Sequence, residues 1–293
     1  MEELLRAAGP VVLAALASLG LDRSMERRGL LPPGFRGVAR IARLRRALAA
    51  AVMALTLWLG AFAVLGLVGR QPEFDPSQVA RSQLFLLHAL FALALALWLA
   101  LGFGGDLRQW AAQLGLRARA PLKELALGTA AGLAAWAVVL GILIALGSLV
   151  WALGGADSLP REPPPVVPWM AALPLWLRLA LSLSAGVAEE TFFRGFLQPR
   201  VGIALSSVLF VLAHLSYEQP LMLVGIALLS VIFALLVAWR QSVWAAVAAH
   251  TVFDALQLGV MIPWAMRLLE GEGGAGLPPV AAIRCVGEAL GFC

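Results

Sequence analysis

"GVAEETFFRG", residues 186–195, closes one of the chain's longest apolar stretches with two adjacent glutamates and an arginine. An ionisable group at the centre of a membrane helix costs about 3 kcal/mol on insertion scales, so such groups face one another or a water-filled cavity. Glu190 and Arg194 stand four apart, share a helix face and can pair there. The stretch reads as a membrane helix that carries polar machinery, and the rest of the chain has to be read as its surroundings.

Those surroundings are apolar. Of 293 residues, 61% are hydrophobic and 13% charged, with a mean hydropathy of +0.88. Soluble domains run nearer about half apolar and about a quarter charged. The chain is an integral membrane protein, and no hydrophilic stretch is long enough to build a separate soluble core. We expect one membrane domain, 1–293, made of N-terminal helices (1–153), a polar-residue-bearing core (170–265) and a C-terminal tail (266–293).

A spanning helix needs about 20 mostly apolar residues. Eight stretches qualify: 4–20, 47–69, 83–103, 126–153, 173–193, 201–216, 220–238 and 243–265. The fold class expected is all-α, polytopic, with about eight transmembrane helices and the site inside the bundle. The N-terminus begins acidic, which speaks for an uncleaved helix rather than a signal peptide. The net charge of +5 does not point to nucleic acid, because the arginines lie in short loops, eight of them in 21–46. Loop arginines set orientation. They put 21–46, 104–125, 194–200 and 239–242 in the cytoplasm and both termini outside. One lysine, Lys123, against 21 arginines hints at a GC-rich bacterial genome, and so at a bacterial inner membrane.

Smaller features add detail. Residues 35–46, "FRGVARIARLRR", read as a basic amphipathic segment on the membrane surface, through Phe35, Val38, Ile41 and Leu44. "LPREPPPVVPW" (159–169) should be extended. "GTAAG" (128–132) matches a close-packing motif that occurs often by chance in Gly/Ala-rich helices. Cys285 and Cys293 give no disulfide framework or zinc spacing, and fit a disulfide or free thiols equally. His88 has no motif around it and is taken as structural.

The second half collects the expensive groups: Glu189, Glu190, Arg194, His214, His250 and Asp254. Phe210 and His214 are four apart, as are His250 and Asp254, so three polar constellations can converge within a bundle. A carboxylate and a histidine around one water can generate a nucleophile. A second histidine can stabilise an oxyanion. His, His and carboxylate could instead hold zinc.

The order E-E-x-x-x-R, F-x-x-x-H, H-x-x-x-(N/D), here "EETFFR" (189–194), "FVLAH" (210–214) and "HTVFD" (250–254), resembles the CAAX protease and bacteriocin-processing family of intramembrane proteases, the CPBP family. The resemblance covers about 170–265. It implies an intramembrane endopeptidase that hydrolyses a peptide bond in a membrane-associated tail, with eukaryotic members trimming prenylated C-terminal tripeptides. By that resemblance Glu189 activates water as general base and His214 helps hold the water. Glu190 pairs with Arg194 as structure, Phe210 packs under the site, and His250 with Asp254 faces the scissile carbonyl. Asp254 stands where asparagine would be the natural donor, so it is protonated, orients His250 or binds a metal. No cofactor is required on this reading; a zinc ion, if present, would take Glu189, His214, His250 and Asp254. The partners expected are membrane lipid and a membrane-anchored peptide or protein. Glu189 and Arg194 near the inner end imply access from the cytoplasm or laterally from lipid. The rival readings are a catalytically silent scaffold or bacteriocin-immunity protein of the same family, and a proton-relay transporter.

Overall fold

Proline in the first turn and glycine just past the last one delimit several of the long helices. Proline lacks only an N–H that has no partner there, and glycine adopts positive φ freely. The computed structural model describes residues 2–62, 65, 81–155, 163–164, 166–215 and 219–271, and among them the chain is all-helical. α1 is Glu2–Arg27, and α2, Arg40–Leu57, runs on through a π-helical stretch Trp58–Phe62. α3, Leu86–Phe103, ends at Gly104 with φ 64°. α4 is the short Leu107–Gln113, and α5, Pro121–Gly154, ends at Gly155 with φ 74°. α6 is Val166–Ala172. α7, Leu175–Glu189, continues through the π-helical stretch Glu190–Leu197 and the turn Gln198–Val201. α8 is Ile203–Leu212 and α9 is Pro220–Arg240. α10, Trp244–Leu256, continues through Gln257–Met261 into α11, Ile262–Gly271.

Five of these helical stretches are long and apolar enough to cross a membrane: 40–62, 83–103, 121–154, 220–240 and 243–267. A sixth forms if 166–172 and 175–201, bent by 118° at their junction, count as one span. The eight expected spans are therefore not all spans among the described residues. The stretch 4–20 lies in α1, which is not one of the five. The stretch 201–216 contains only the ten-residue α8, roughly 15 Å long. Hydropathy reads composition, so it cannot tell a full span from a half-length helix packed inside the bundle. The proline-rich 159–169 likewise turns helical from Val166. Cys285 and Cys293 lie outside the described residues.

The helices alternate between two ends. At one, Ser24 donates to the carbonyl of Arg200, Arg200 donates to Gln113, the Val243 N–H bonds Gly115, and Arg240 makes a bidentate pair with Glu124 at 3.0 and 2.6 Å. At the other, Arg178 donates to the carbonyl of Leu258 at 2.7 Å, and α6 packs against α11. The chance-level motif at 128–132 proves to be real packing. A Cβ on Gly132 would stand 2.5 Å from the carbonyl oxygen of Ala249, and one on Gly128 would strike Ala245. Gly186 meets Val247 and Thr251 in the same way. These three glycines seat α10 against both α5 and α7, the contact that brings His250 beside the glutamates.

The aromatic core lies below. Phe91 stacks on Phe192 at 4.5 Å, Trp98 meets Phe196 edge-on at 4.7 Å, and Phe35 meets Trp98 at 5.3 Å. Phe35 is thus a core residue, while Val38, Ile41 and Leu44 are exposed between arginines.

Candidate active site

Glu189 is the last residue before the π-helical stretch of α7, and a helix that widens there re-aims its side chains, a feature frequent at functional sites. Its carboxylate is 6% exposed. One oxygen lies 3.4 Å from Nε2 of His88 and the other 3.7 Å from Nε2 of His214. The second oxygen, Oε2, has no hydrogen-bond partner among the described residues.

The tautomer of His214 follows from its other nitrogen. Nδ1 of His214 sits 2.8 Å from the Phe210 carbonyl, which can only accept, so Nδ1 carries the proton. Nδ1 of His88 sits 2.7 Å from the Ser184 hydroxyl, a group that can donate or accept. In the neutral His214 ring Nε2 is then an acceptor, turned toward the Glu189 carboxylate. An acceptor beside Glu189 suits a molecule that brings protons of its own.

His88 corrects the sequence reading. It comes from α3, in the half of the chain that carried no motif, and it belongs to the site rather than to structure alone. Only its presence as a lone ionisable group in an apolar helix could have marked it.

Glu190 takes the other side. It is fully buried, and its Oε1 accepts from Arg194 at 3.0 Å and from Nδ1 of His250 at 2.8 Å. Arg194 also donates to the carbonyl and hydroxyl of Ser230 on α9, each at 3.2 Å, and its guanidinium lies 4.1 Å over the Phe210 ring. Nε2 of His250 faces Asp254 at 3.3 Å. Glu190, Arg194, His250 and Asp254 thus form one connected chain of ionisable groups. Of the three roles open to Asp254, orientation of His250 is the one its position supports. Glu190 holds His250 as well as Arg194, more than the helix-internal pair expected. Phe210 packs under the site as expected, against His214 at 4.6 Å.

Of the set considered for zinc, His250 has both nitrogens turned to carboxylates. Among the described residues no three His, Cys, Asp or Glu side chains gather at ligating distance.

His88, Glu189, Phe210, His214, His250 and Asp254 line a cavity of about 510 Å³. Its deepest wall is Glu189, Phe233 and His250, all buried. Its rim includes Gln83, Val166, Trp169 and Ile262. That rim belongs to the end where Arg178 meets Leu258, not to the end of the arginine-bearing loops. From Glu189 the helix runs roughly 18 Å further before it reaches the arginine loops.

Comparison with known proteins gives one family and one relative. Residues 171–256 match the family described as type II CAAX prenyl endopeptidase Rce1-like, over less than a third of the chain. A protein of Bacillus subtilis (strain 168), YpbD, described as uncharacterized, is 30% identical over 77 residues. That match covers 26% of this chain and 41% of the relative, so this chain spans less than half the relative's length. No solved structure matches.

Proposed function

We propose that the protein is an intramembrane endopeptidase of the CPBP family, a reading supported by the match of residues 171–256, in which Glu189 activates the water. The observation that supports it most is the buried Glu189 carboxylate, with Nε2 of His88 and of His214 beside its two oxygens at the base of the cavity. A water placed there gives one proton to Glu189 and points the other at Nε2 of His214. Its oxygen attacks the scissile carbonyl carbon, and the carbonyl electrons move to the oxygen. Collapse breaks the C–N bond, and the proton held by Glu189 passes to the leaving amine, which restores the carboxylate. His250, oriented by Asp254 and Glu190 and protonated between them, stabilises the oxyanion from beside Glu189 at the base of the cavity. No metal enters the scheme.

The test is cleavage of membrane-tethered peptides by protein purified in detergent. Wild type should cleave, and Glu189→Gln should lose about 10²- to 10⁴-fold in turnover, the usual contribution of a general base. A chelator should change nothing. Wild-type-like cleavage by Glu189→Gln would sink the assignment; loss with chelator and recovery with added metal would move the reaction to a metal.

A further inference from the structure

We propose that the site is entered from the extracytoplasmic face, and that its substrate is a segment of an exported or outward-facing membrane protein. The substrate half rests on the endopeptidase reading; the orientation stands without it.

Burial runs one way along the cavity. Gln83 at the rim is exposed, and Val166, Trp169, Gln257 and Ile262 are half-buried. Glu189, Phe233 and His250 at the base are buried. At the other end a second cavity, of about 480 Å³, opens between Gln113, Gln198, Arg200 and Val243 and reaches Arg194, but Glu189 and His250 do not line it; buried aromatics stand between the two. Phe192, Phe193, Phe196 and Leu197 are at most 1% exposed, and Val243, Ala245 and Ala246 at 0%. The cavity that holds Glu189, His214, His250 and Asp254 is the one that opens at the rim, and the buried phenylalanines separate it from the second. Entry is therefore by the rim.

Charge tells which compartment the rim faces. The sealed end carries Arg23, Arg27, Arg28, Arg40, Arg43 and Arg45, all exposed, between α1 and the start of α2. Arg108, Arg117, Arg119 and Lys123 are exposed on its next loop. The rim end shows Arg81 and Arg267 among the described exposed residues. Short loops rich in Arg and Lys stay in the cytoplasm. The sealed end is then cytoplasmic and the rim faces out. A tail that ends in the cytoplasm would have to cross the aromatic floor to reach Glu189. A tail on the outer face, or a membrane helix unwinding near it, needs only to pass α6. The half-buried apolar rim, with Trp169 and Met170 on α6, suits such an apolar segment.

The ends are mapped first. Both native cysteines are replaced by serine, and one new cysteine is placed at the rim (Gln83→Cys) or at the sealed end (Gly105→Cys, where an added Cβ meets nothing within 4 Å). In intact bacterial spheroplasts a membrane-impermeant maleimide should label Gln83→Cys, and Gly105→Cys only after permeabilisation. The opposite pattern, or labelling of both from outside, overturns the proposal. Two reporters follow, each a single apolar helix with an epitope-tagged tail, one inserted tail-out and one tail-in. Wild type should shorten only the tail-out reporter, and Glu189→Gln neither. Glu189-dependent cleavage of the tail-in reporter overturns the outward access while keeping the endopeptidase. Cleavage of neither, with labelling as expected, overturns the substrate half and leaves the orientation standing.

Discussion

His88 lies 101 positions before Glu189, and nothing in local spacing joins them. The three motif segments put Glu189, Glu190, Arg194, His214, His250 and Asp254 on the page because helical periodicity is visible within a few residues. A contact between α3 and α7 is a tertiary event and leaves no such trace. Since His88 lies against Glu189, the proposed base, and its Nδ1 is held by Ser184, His88→Ala should loosen Glu189 without removing it. Turnover should fall by less than the roughly 100-fold lower bound for losing a general base, with KM little changed. Steady-state cleavage of a reporter peptide measures both; a loss as deep as that of Glu189→Gln would make His88 an equal partner in the chemistry. Arg194 poses a different question. It is 1% exposed and bonded to a fully buried Glu190, so Arg194→Ala strands a buried carboxylate. Removing one partner of such a pair costs about 3–5 kcal/mol. Unfolding in detergent should show that loss, and Glu190→Leu added to Arg194→Ala should recover part of it, because a buried pair is often replaceable by apolar packing.

At the scale of elements, the seating of α10 on α5 decides whether the two halves of the site meet. The match at 128–132 was legible as a pattern, but only the register against Ala245 and Ala249 distinguishes it from the chain's other small residues. Gly132→Ala should force the helices apart, at about 1–3 kcal/mol for an overpacked contact. His250 follows Ala249, so cleavage should fall with stability. Gly141→Ala on the same helix meets nothing within 4 Å and should stabilise by about 0.5–1 kcal/mol, with activity kept. Equal behaviour of the two variants in unfolding and cleavage would refute the packing role. Away from the membrane core, Asp106 caps α4. The Gln109 backbone N–H, its side-chain amide and the Arg108 N–H hold its carboxyl below the ordinary range. A depressed carboxylate contributes above its unfolded value, near about 3.9, and loses that contribution as pH falls through the folded value. Hydrogen exchange at Arg108 and Gln109, corrected for its intrinsic pH dependence, should therefore speed up only below about pH 4, and Asp106→Ala should abolish that dependence.

The whole molecule turns on which end faces the cytoplasm. Composition made the membrane plain and the arginine loops made one end basic, so the class and the basic end could be read from the chain. The number of spans could not. A ten-residue α8 and a 118° break before α7 score as apolar sequence in the same way as full crossings do. Nor could the direction of the cavity, which depends on where large aromatics close the bundle. The outward-facing rim rests on the arginines, and they offer a last prediction. Arg40, Arg43 and Arg45 are exposed and form no ion pair among the described residues, whereas Arg46 is locked to Asp22 and Glu26. Changing the three to glutamine removes topological charge and leaves that clamp, so the fold should keep its unfolding midpoint. Insertion should become mixed, because orientation follows the bias of Arg and Lys near the span ends. In the Gln83→Cys background this appears as a protected, inward fraction that the parent lacks. Cleavage of the tail-out reporter should drop by the same fraction, and a tail-in reporter should begin to be cleaved as inverted molecules appear. A protected fraction without tail-in cleavage would mean that inverted molecules are inactive; an unchanged labelling pattern would mean that the remaining basic loops suffice to fix the orientation.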